Sequence, residues 1–343
     1  MIQVYNLEES VGRLIAHDVT EIRAGEFKGR AFRRGHIIRR EDLDHLRRLG
    51  KERIYTLEVE SHQLHEDDAA LQLANALCGN GVCWNEEPQE GKINLRAKRD
   101  GLLKIDIERL IRFNELGEVM CASRHSNTTV IKGDIVAGTR AIPLLIDRSI
   151  VQEAVRIASE GQGIIRVLPL RKVNAGIIIT GNEVYSGIIK DRFAPILRQK
   201  VEAFHGTILD EIILPDNDER IAAAALDMIS RGADILLTAG GMSVDPDDRT
   251  RFGLVKAGAS DIVYGSAVLP GAMFMVAELN GVPVLGIPAC GVFASITVFD
   301  LIYPRILAGD RITRKDIAML GHGGLCLSCK SCRFPNCSFG KGS

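Results

Sequence analysis

The chain has 343 residues, of which 46% are hydrophobic and 25% are charged, a balance typical of globular proteins with full-sized cores. The formal net charge is −1, from 43 basic and 44 acidic side chains, so no global field would recruit nucleic acid or an anionic membrane. No stretch approaches the roughly 20 apolar residues that span a bilayer, and residues 1–14 lack the basic and apolar regions of a secretory signal. We therefore predict a cytoplasmic protein of two or three folding units that binds neither membranes nor nucleic acids.

The N-terminal half predicts two small units. Residues 1–65 mix short helical and extended patterns, which indicates an α/β segment. Residues 66–170 predict a helix and then a β-rich domain, because an Ala/Leu-rich stretch gives way to patterns of period two. The helices expected there cover residues 66–78 and 108–114, and the strands cover 119–123, 129–131 and 135–141. Ser149-x-x-Gln152 resembles a capping box and predicts a further helix that ends at Gly161.

From residue 173, strand and helix patterns alternate. This alternation predicts a mostly parallel sheet with helices on both faces, that is, a three-layer α/β/α domain over residues 171–318. Strands are expected at residues 173–180, 207–214, 234–238, 274–279 and 282–287, the last two joined as a hairpin. Asp216-x-x-Glu219 predicts the capped start of an alanine-rich helix, and a final amphipathic helix is expected over residues 292–307.

The loops that follow the strands hold the candidate ligand-binding residues, because parallel sheets bind ligands at the carboxyl ends of their strands. Gly240-Gly241 lets bare backbone approach a ligand, and successive amides there can cradle an oxyanion. Ser243 adds a hydroxyl donor. The other residues predicted to bind the ligand are Thr180, Gly181, Asn182, Glu183, Thr238, Pro270, Gly271, Pro288 and Cys290. The alternative is that these glycines only turn the chain.

Acidic side chains occupy the same loops. Glu183, Asp191, Asp216 and Asp248 offer hard oxygen ligands, suited to Mg²⁺ that bridges a phosphate or a molybdate. We assign Asp191, Asp216 and Asp248 as the candidate catalytic residues. The alternative is that these acids only cap the helices that follow them.

Taken in order, these loops resemble the molybdopterin-binding domain shared by molybdopterin molybdotransferases and adenylyltransferases. The family's T-G-[DN]-E turn corresponds to Thr180–Glu183, its aspartate before the first helix to Asp191, and its [ST]-x-G-G-x-S-x-x-x-x-D loop to Thr238–Asp248. Its P-G pair and its late L-P-G-N-P loop correspond to Pro270-Gly271 and to residues 287–291. A fainter resemblance, at residues 7–19, is to the opening of the molybdotransferases.

The resemblance implies a ligand and a set of roles. Molybdopterin, or its adenylylated form, would be the ligand, and Gly240, Gly241 and Ser243 would hold its phosphate. The three candidate catalytic aspartates would position Mg²⁺ and molybdate or tungstate, and Glu183 would order the first loop. Partners implied by the resemblance are a client molybdoenzyme or tungstoenzyme and a second copy of the chain, because relatives commonly place the site near a dimer interface.

The sequence also departs from the family. Residues 288–291 read P-A-C-G where the family has P-G-N-P, and Leu269 and Ala272 replace lysines that often flank the P-G pair. The R-S-x-M-D-G-Y-A segment of the molybdotransferases, which carries their second catalytic surface, is not evident between residues 18 and 60. Three functions are therefore weighed: a molybdotransferase-like transferase, a non-catalytic carrier or maturation factor, and a nucleotide pyrophosphatase resembling the competence-damage proteins, which share this fold.

A cysteine-rich tail is predicted over residues 319–343. Its cysteines follow a C-x2-C-x2-C-x4-C spacing, at Cys326, Cys329, Cys332 and Cys337. The spacing resembles the bacterial ferredoxin run, with four rather than three residues before the last cysteine. In a reducing compartment such crowding indicates metal binding, so we predict a 4Fe–4S cluster that senses redox state or docks on a client, with Zn²⁺ or no metal as alternatives. Cys290 could offer a thiolate to molybdenum or sulfur, or serve as a small buried hydrophobe.

Overall fold

The computed structural model describes residues 2–23, 27–57, 60–243 and 245–342. Val244, within the predicted Gly-Gly loop, lies outside the described residues. The chain divides into two compact units, a first unit of residues 1–125 and 130–168 and a second unit of residues 126–129 and 169–343. The further divisions that we predict at residues 65 and 319 remain predictions.

The first unit contains short helices and many short strands. Its α-helices are Leu43–Arg48, Glu66–Leu77, Ile107–Asn114 and Arg148–Ser159, and its 3₁₀ turns are Glu8–Ser10 and Arg40–Asp42. The strands up to residue 168 are Ile2–Asn6, Val19–Arg23, Phe27–Phe32, Arg53–Leu57, Gln63–His65, Val82–Cys83, Lys92–Ala97, Gly101–Ile105, Val119–Ser123, Thr129–Val130, Ile135–Ala141, Leu145–Asp147 and Ile165–Leu168. The β-rich character predicted for this region is confirmed.

One hydrophobic core fills most of the first unit. It is formed where Glu66–Leu77 buries Leu73 and Leu77 against strands such as Lys92–Ala97 and Ile135–Ala141, which pair antiparallel. The capping box predicted at Ser149 is wrong by two residues: the carboxylate of Asp147 accepts a hydrogen bond of 2.8 Å from the amide of Ser149 and so caps the helix Arg148–Ser159. An aspartate satisfies an orphan amide at a helix start as well as a serine does.

The second unit is built on a six-stranded sheet. Its strand order is Thr207–Leu214, Asn174–Thr180, Ile235–Ala239, Val282–Ile287, Met275–Leu279, Ser260–Tyr264. The first four strands are parallel, and the last two are antiparallel to their neighbours. Its helices are Asn182–Tyr185, Phe193–Glu202, Asp218–Ser230, Thr250–Ala257, Val298–Leu307 and Arg314–Met319, with a 3₁₀ turn at Ala289–Val292. The predicted mostly parallel α/β domain is confirmed.

The strand Asn174–Thr180 explains the three layers. Side chains of a strand alternate between the two faces of a sheet. Ile177 and Ile179 therefore pack into one core, with residues of the helices Phe193–Glu202 and Val298–Leu307, whereas Ile178 packs into a second core on the opposite face. Because both faces are covered, the strand is apolar from Ala175 to Ile179, as parallel strands usually are.

The sheet has a switch point beside this strand. The chain leaves Asn174–Thr180 for a neighbour on one side, Thr207–Leu214, and then places Ile235–Ala239 on the other side. A crevice forms where the connections diverge, outside the carboxyl ends of the strands. The loops after Thr180 and Ala239 therefore meet at the place where such folds bind ligands.

Two local predictions in the second unit are wrong. The helix predicted over residues 292–307 begins at Val298 rather than at residue 292, because Thr297 and Asp300 form a capping box that fixes its start. The alanine-rich helix Asp218–Ser230 is capped by Asn217, whose side chain accepts from the amide of Arg220, and not by Asp216. Asp216 is therefore left for another role. Among the described residues, no helix is both long and apolar enough to traverse a bilayer.

Candidate functional site

Three loops of the second unit line one pocket at the carboxyl ends of the parallel strands. The pocket has a volume of about 400 Å³. Its lining includes predicted ligand-binding or catalytic residues from each loop, namely Gly240, Gly241, Ser243, Asp248, Pro270, Gly271, Pro288 and Cys290. The structure thus brings together the Gly-Gly loop, the Pro-Gly pair and the late loop, which lie up to 50 positions apart in sequence (240 to 290).

A second cavity adjoins the Gly-Gly loop. It measures about 320 Å³ and shares Gly241, Met242, Ser243 and Asp248 with the first pocket. Its remaining lining includes Asp245 and also Arg249 and Arg251, two cations that sequence reasoning did not assign to the site. The loop therefore borders a mainly apolar pocket that holds one thiol and a second cavity that is lined by two arginines and two aspartates.

The position of the Gly-Gly loop is fixed by close backbone packing. Gly240 has a φ of 89°, and a Cβ atom there would lie 2.0 Å from the carbonyl oxygen of Thr180. Gly241 has a φ of 54°, and a Cβ there would lie 2.6 Å from the hydroxyl oxygen of Thr250. Only glycine tolerates both the left-handed backbone and this approach. The glycines thus place the loop against the end of the first strand.

Buried hydroxyl groups complete this contact. Thr250 Oγ1 donates to the carbonyl oxygen of Gly240 at 3.0 Å and lies 2.7 Å from Thr180 Oγ1. Both threonines are almost fully buried. Within the described part of the chain, the amides of Gly241 and Ser243 have no protein acceptor. These amides are therefore available to an anionic group in the pocket.

Arg251 is the cation best placed to meet such a group. Its guanidinium lies 4.6 Å from the ring centroid of Tyr264 and 5.3 Å from that of Phe252, so cation–π contacts orient it. It has no carboxylate partner among the residues that the structure describes. Arg249, by contrast, is bonded to Asp218 through Nε at 2.8 Å. Of the two arginines, Arg251 alone can offer its charge to a ligand without breaking an ion pair.

Asp216 lies at the centre of a group of acidic side chains. Its Oδ2 accepts from the amide of Asn182 at 3.0 Å, and its own amide donates to Asn182 Oδ1 at 3.2 Å, so the first and second loops are joined. Its Oδ1 is buried without a hydrogen-bond partner among the described residues. Burial, with the negative charges of Asp248 and Glu183, raises the pKa of Asp216.

These observations fit a divalent cation at Asp216. An orphaned carboxylate oxygen, with like charges around it, is relieved by Mg²⁺, which prefers carboxylate ligands. However, no three His, Cys, Asp or Glu side chains within the described residues are arranged to hold a metal ion. Any cation would therefore draw the acids closer or complete its shell with water and substrate oxygens, as Mg²⁺ commonly does.

The remaining predicted residues have structural contacts. Both carboxylate oxygens of Asp191 accept hydrogen bonds from backbone amides, of Phe193 at 2.8 Å and of Ala194 at 3.0 Å, so this residue caps the helix Phe193–Glu202. Thr238 is fully buried, with its hydroxyl directed to Leu285 of the neighbouring strand. Neither lines the pocket, nor do Thr180, Gly181, Asn182 and Glu183. The catalytic role of Asp191 remains a prediction.

All four cysteines of the tail line a separate cavity of about 240 Å³ in the second unit. Cys326 and Cys337 pack against the adjacent hydrophobic core, whereas Cys329 and Cys332 are exposed. The donor set suits a thiophilic metal, but in the described residues the four side chains are not drawn into a metal-binding group. In the ligand pocket, burial raises the pKa of the Cys290 thiol.

Sequence reasoning missed the segment Arg249-Thr250-Arg251. Thr250 is hydrogen-bonded to the Gly-Gly loop, and Arg251 lines the second cavity. The sequence signal that could have identified them is that they directly follow Asp248. They lie at the start of the helix Thr250–Ala257, which our strand and helix patterns did not predict. That helix spans only eight residues.

Comparisons with known proteins match both halves of the chain. Residues 176–308 match a family described as a probable molybdopterin binding domain, and residues 4–58 match a domain of unknown function (DUF8806). A molybdopterin molybdenumtransferase of Haemophilus influenzae is 25% identical over 322 residues, which cover 90% of this chain and 74% of the relative. A CinA-like protein of Desulfosudis oleivorans is 36% identical over 89 residues, which cover 26% of this chain and 21% of the relative.

Among solved structures, the molybdopterin biosynthesis Mog protein from Mycobacterium ulcerans is similar to part of the chain. Its TM-score is 0.33 at 21% identity, over 39% of this chain and 93% of that protein.

We expect Gly240→Ala to destabilise the second unit more than Gly232→Ala does. Both glycines have a positive φ, but a Cβ at Gly232 would meet no atom within 4 Å, so that variant isolates the backbone cost of about 1 kcal/mol. Gly240→Ala adds the clash with Thr180, an overpacking cost of about 1–3 kcal/mol. Urea unfolding followed by circular dichroism measures both variants. Equal free energies of unfolding would show that the loop is not packed as described.

Asp216→Asn should change how stability depends on pH. Because the pKa of Asp216 is raised in the folded state, its contribution to stability is complete below the ordinary aspartate pKa and is lost as pH rises through the raised value. Without divalent cations, wild type should therefore lose stability relative to Asp216→Asn as pH rises above the ordinary aspartate pKa of about 4. Added Mg²⁺ should reduce this difference. The exposed Glu202→Gln is the control, and a pH-independent difference for Asp216→Asn would contradict the raised pKa.

Proposed function

We propose that the chain binds molybdopterin or its adenylylated form in the 400 Å³ pocket, since residues 176–308 match a family described as a probable molybdopterin binding domain. We further propose that it takes part in the biosynthesis or insertion of the molybdenum or tungsten cofactor. One observation supports the proposal above the others: loops from separate strands converge on a single pocket with a glycine-rich anion cradle at its edge. Similarity to a molybdopterin molybdenumtransferase over 90% of the chain supports it too.

In this proposal the phosphate of the ligand lies against the Gly-Gly loop. The amides of Gly241 and Ser243 donate to its oxygens, and the guanidinium of Arg251 neutralises its charge from the second cavity. A charge-assisted hydrogen bond to phosphate is about twice as strong as a neutral one, so Arg251 would be the main source of affinity at this end. The pterin would lie towards Pro270, Gly271 and Pro288.

Asp216, with Asp248 and Glu183 nearby, would hold Mg²⁺. When bound, the cation supplies charge neutralisation to the phosphate or to incoming molybdate or tungstate. Asp248 lines both cavities, and Asp216 has one oxygen without a partner among the described residues, so these two carboxylates would hold the cation beside the pocket. Asp191 would have an indirect, positioning role, because it fixes the first turn of the helix Phe193–Glu202.

A non-catalytic carrier or maturation factor is the second candidate function. Leu269, Ala272 and Cys290 line the pocket at the positions where the family often has lysines or a P-G-N-P turn, so this wall is apolar and thiol-bearing rather than cationic. Such a wall retains a pterin but offers less stabilisation to a departing nucleotide phosphate. In either role, the client metalloenzyme, a homodimer and a cytoplasmic location are part of the proposal.

We also propose that the cysteine tail holds a thiolate-bound metal centre, a 4Fe–4S cluster or, as the alternative, Zn²⁺. All four cysteines line one cavity. From residue 317 onwards the chain carries Lys330, Arg333 and Lys341 and no acidic residue. This local positive charge offsets the negative charge of a centre bound by four thiolates. A bound centre would supply a redox or docking function, and Cys326 and Cys337 would anchor it to the adjacent core.

The function is tested with protein purified anaerobically. Heat-released ligand should show pterin fluorescence, and metal analysis should find iron with sulfide, or zinc. Incubation with adenylylated molybdopterin, Mg²⁺ and molybdate separates the two roles: nucleotide release above background indicates a transferase, whereas tight binding without release indicates a carrier. A protein that neither carries nor binds pterin would contradict both, and hydrolysis of ADP-ribose would instead favour a nucleotide pyrophosphatase.

Arg251→Ala should weaken pterin binding about tenfold or more, because a hydrogen bond to a charged group contributes about 1.5–3 kcal/mol. Fluorescence titration with molybdopterin measures the dissociation constant. Lys256→Ala is the matched control, since Lys256 lies on the same helix and is exposed and paired with Glu219. If both variants bind as wild type does, the phosphate does not lie in the arginine-lined cavity.

A further inference from the structure

The cysteine cavity adjoins the ligand pocket. Pro270 lines both, and the late loop runs from one to the other, with Pro288 and Cys290 on the ligand side and Phe293 on the cysteine side. The wall between the two cavities is therefore formed by the loop Leu269–Gly271 and by the 3₁₀ turn Ala289–Val292. A change in the position of this wall would alter both cavities at once.

The tail is hydrogen-bonded to that wall through its backbone. The amide of Leu269 donates to the carbonyl oxygen of Gly324 at 2.8 Å, and the amide of Cys326 donates to the carbonyl oxygen of Leu269 at 2.8 Å. Leu269 and Leu325 thus form a parallel bridge. A metal-ligating candidate, Cys326, is in this way bonded directly to the residue that precedes Pro270.

Close packing makes this contact specific. A Cβ atom on Gly324 would lie 2.7 Å from the carbonyl oxygen of Ala267 and 2.4 Å from that of Leu320, so the tail can approach the segment before Leu269 only because residue 324 is glycine. Leu269 and Leu325 are themselves 56% and 62% exposed. Their bridge is therefore held by two backbone hydrogen bonds with little apolar burial, which makes it marginal on its own.

The C-terminal part of the tail is hydrogen-bonded to Gly323, next to Gly324. The amide of Gly340 donates to the carbonyl oxygen of Gly323 at 2.9 Å, and Phe339 is buried in the adjacent core. Between these two points the chain forms a loop whose middle, with Cys329 and Cys332, is exposed. Metal binding would cross-link this loop internally and reduce its freedom, while its fastened ends pass the constraint to Leu269.

We infer that thiolate-bound metal in the tail controls the ligand pocket through the Leu269–Leu325 bridge. With metal bound, Cys326 is held both by the metal and by its backbone hydrogen bond to Leu269, so the loop Leu269–Gly271 is fixed against the pocket. Without metal, the bridge opens more often and the loop loses its position. The consequence for the ligand rests on the proposed function: a phosphorylated pterin binds more tightly to the metal-loaded protein than to the metal-free protein.

Hydrogen–deuterium exchange of the full chain tests the coupling without any pterin. The metal-free protein is compared with protein reconstituted anaerobically with iron and sulfide, and separately with Zn²⁺. Metal should slow exchange of the Leu269 amide, within the peptide of residues 266–274, by about fivefold or more, the lower end of the range for coupled sites. Metal content is measured on the same samples. Uptake of metal with unchanged exchange would overturn the inference, and so would no uptake in either arm.

Three variants sharpen the test. Cys329→Ser with Cys332→Ser removes two exposed thiols, leaves the packed cysteines in place, and should exchange as the metal-free protein does under all conditions. Ser331→Ala is the matched control from the same exposed stretch and should behave as wild type. Gly324→Ala keeps all four cysteines but displaces the bridge, so it should bind metal while the Leu269 amide exchanges fast. Slow exchange in Gly324→Ala would show that the bridge does not carry the coupling.

Pterin affinity provides a separate readout. Fluorescence titration with molybdopterin should give a dissociation constant about fivefold or more lower for the metal-loaded wild type, with no metal effect in Gly324→Ala. Slowed exchange without any pterin binding would support the coupling and contradict the proposed function. Pterin binding of equal strength in the metal-loaded and metal-free states would support the proposed function and overturn the inference.

Discussion

The hydroxyl of Thr250 joins the carboxyl ends of two parallel strands, since it donates to the backbone of Gly240 and meets the hydroxyl of Thr180. Both threonine side chains are almost fully buried, so the contact is costly to break. It holds the Gly-Gly loop against the switch point of the sheet, and the amides of Gly241 and Ser243 and the side chain of Asp248 take their positions from that loop. The site is in this sense a consequence of one polar contact inside an apolar sheet.

Charges of both signs lie close to the Gly-Gly loop. The pKa of Asp216 is raised in part by the charges of Asp248 and Glu183, whereas the guanidinium of Arg251, which has no carboxylate partner among the described residues, lines the cavity that Asp248 also lines. In the proposed function, a cation would neutralise the charge at Asp216 and a phosphate would neutralise the charge at Arg251. The apolar wall at Leu269 and Ala272 then receives the uncharged part of the ligand.

The fold of the second unit could be predicted because its signals are strong and local. Ile177, Ile178 and Ile179 mark a strand covered on both faces, and Asn280-Gly281 marks a hairpin. Most of the pocket followed from the same reasoning, because strand-end loops of a parallel sheet must converge. Asp216 was assigned to the site, but its role as a helix cap was not correct, since Asn217 offers the same capping chemistry one position later.

What could not be predicted depends on contacts between distant residues. Thr250 and Arg251 look like ordinary polar residues of a short helix until the packing of the loop is known. The end of the tail gives a similar lesson: C-x2-C spacing indicates metal chemistry, but nothing in the spacing shows that Cys326 is bonded to Leu269. Sequence periodicity reports on burial, whereas these bonds join segments that have no periodic relation.

The hydrogen bond between Gly340 and Gly323 brings the two ends of the cysteine loop together. Because the two ends of this segment are hydrogen-bonded to each other, a change in the length or sequence of its interior need not alter the adjacent sheet. For protein engineering, the two glycines mark where a different loop could be grafted beside the 400 Å³ pocket.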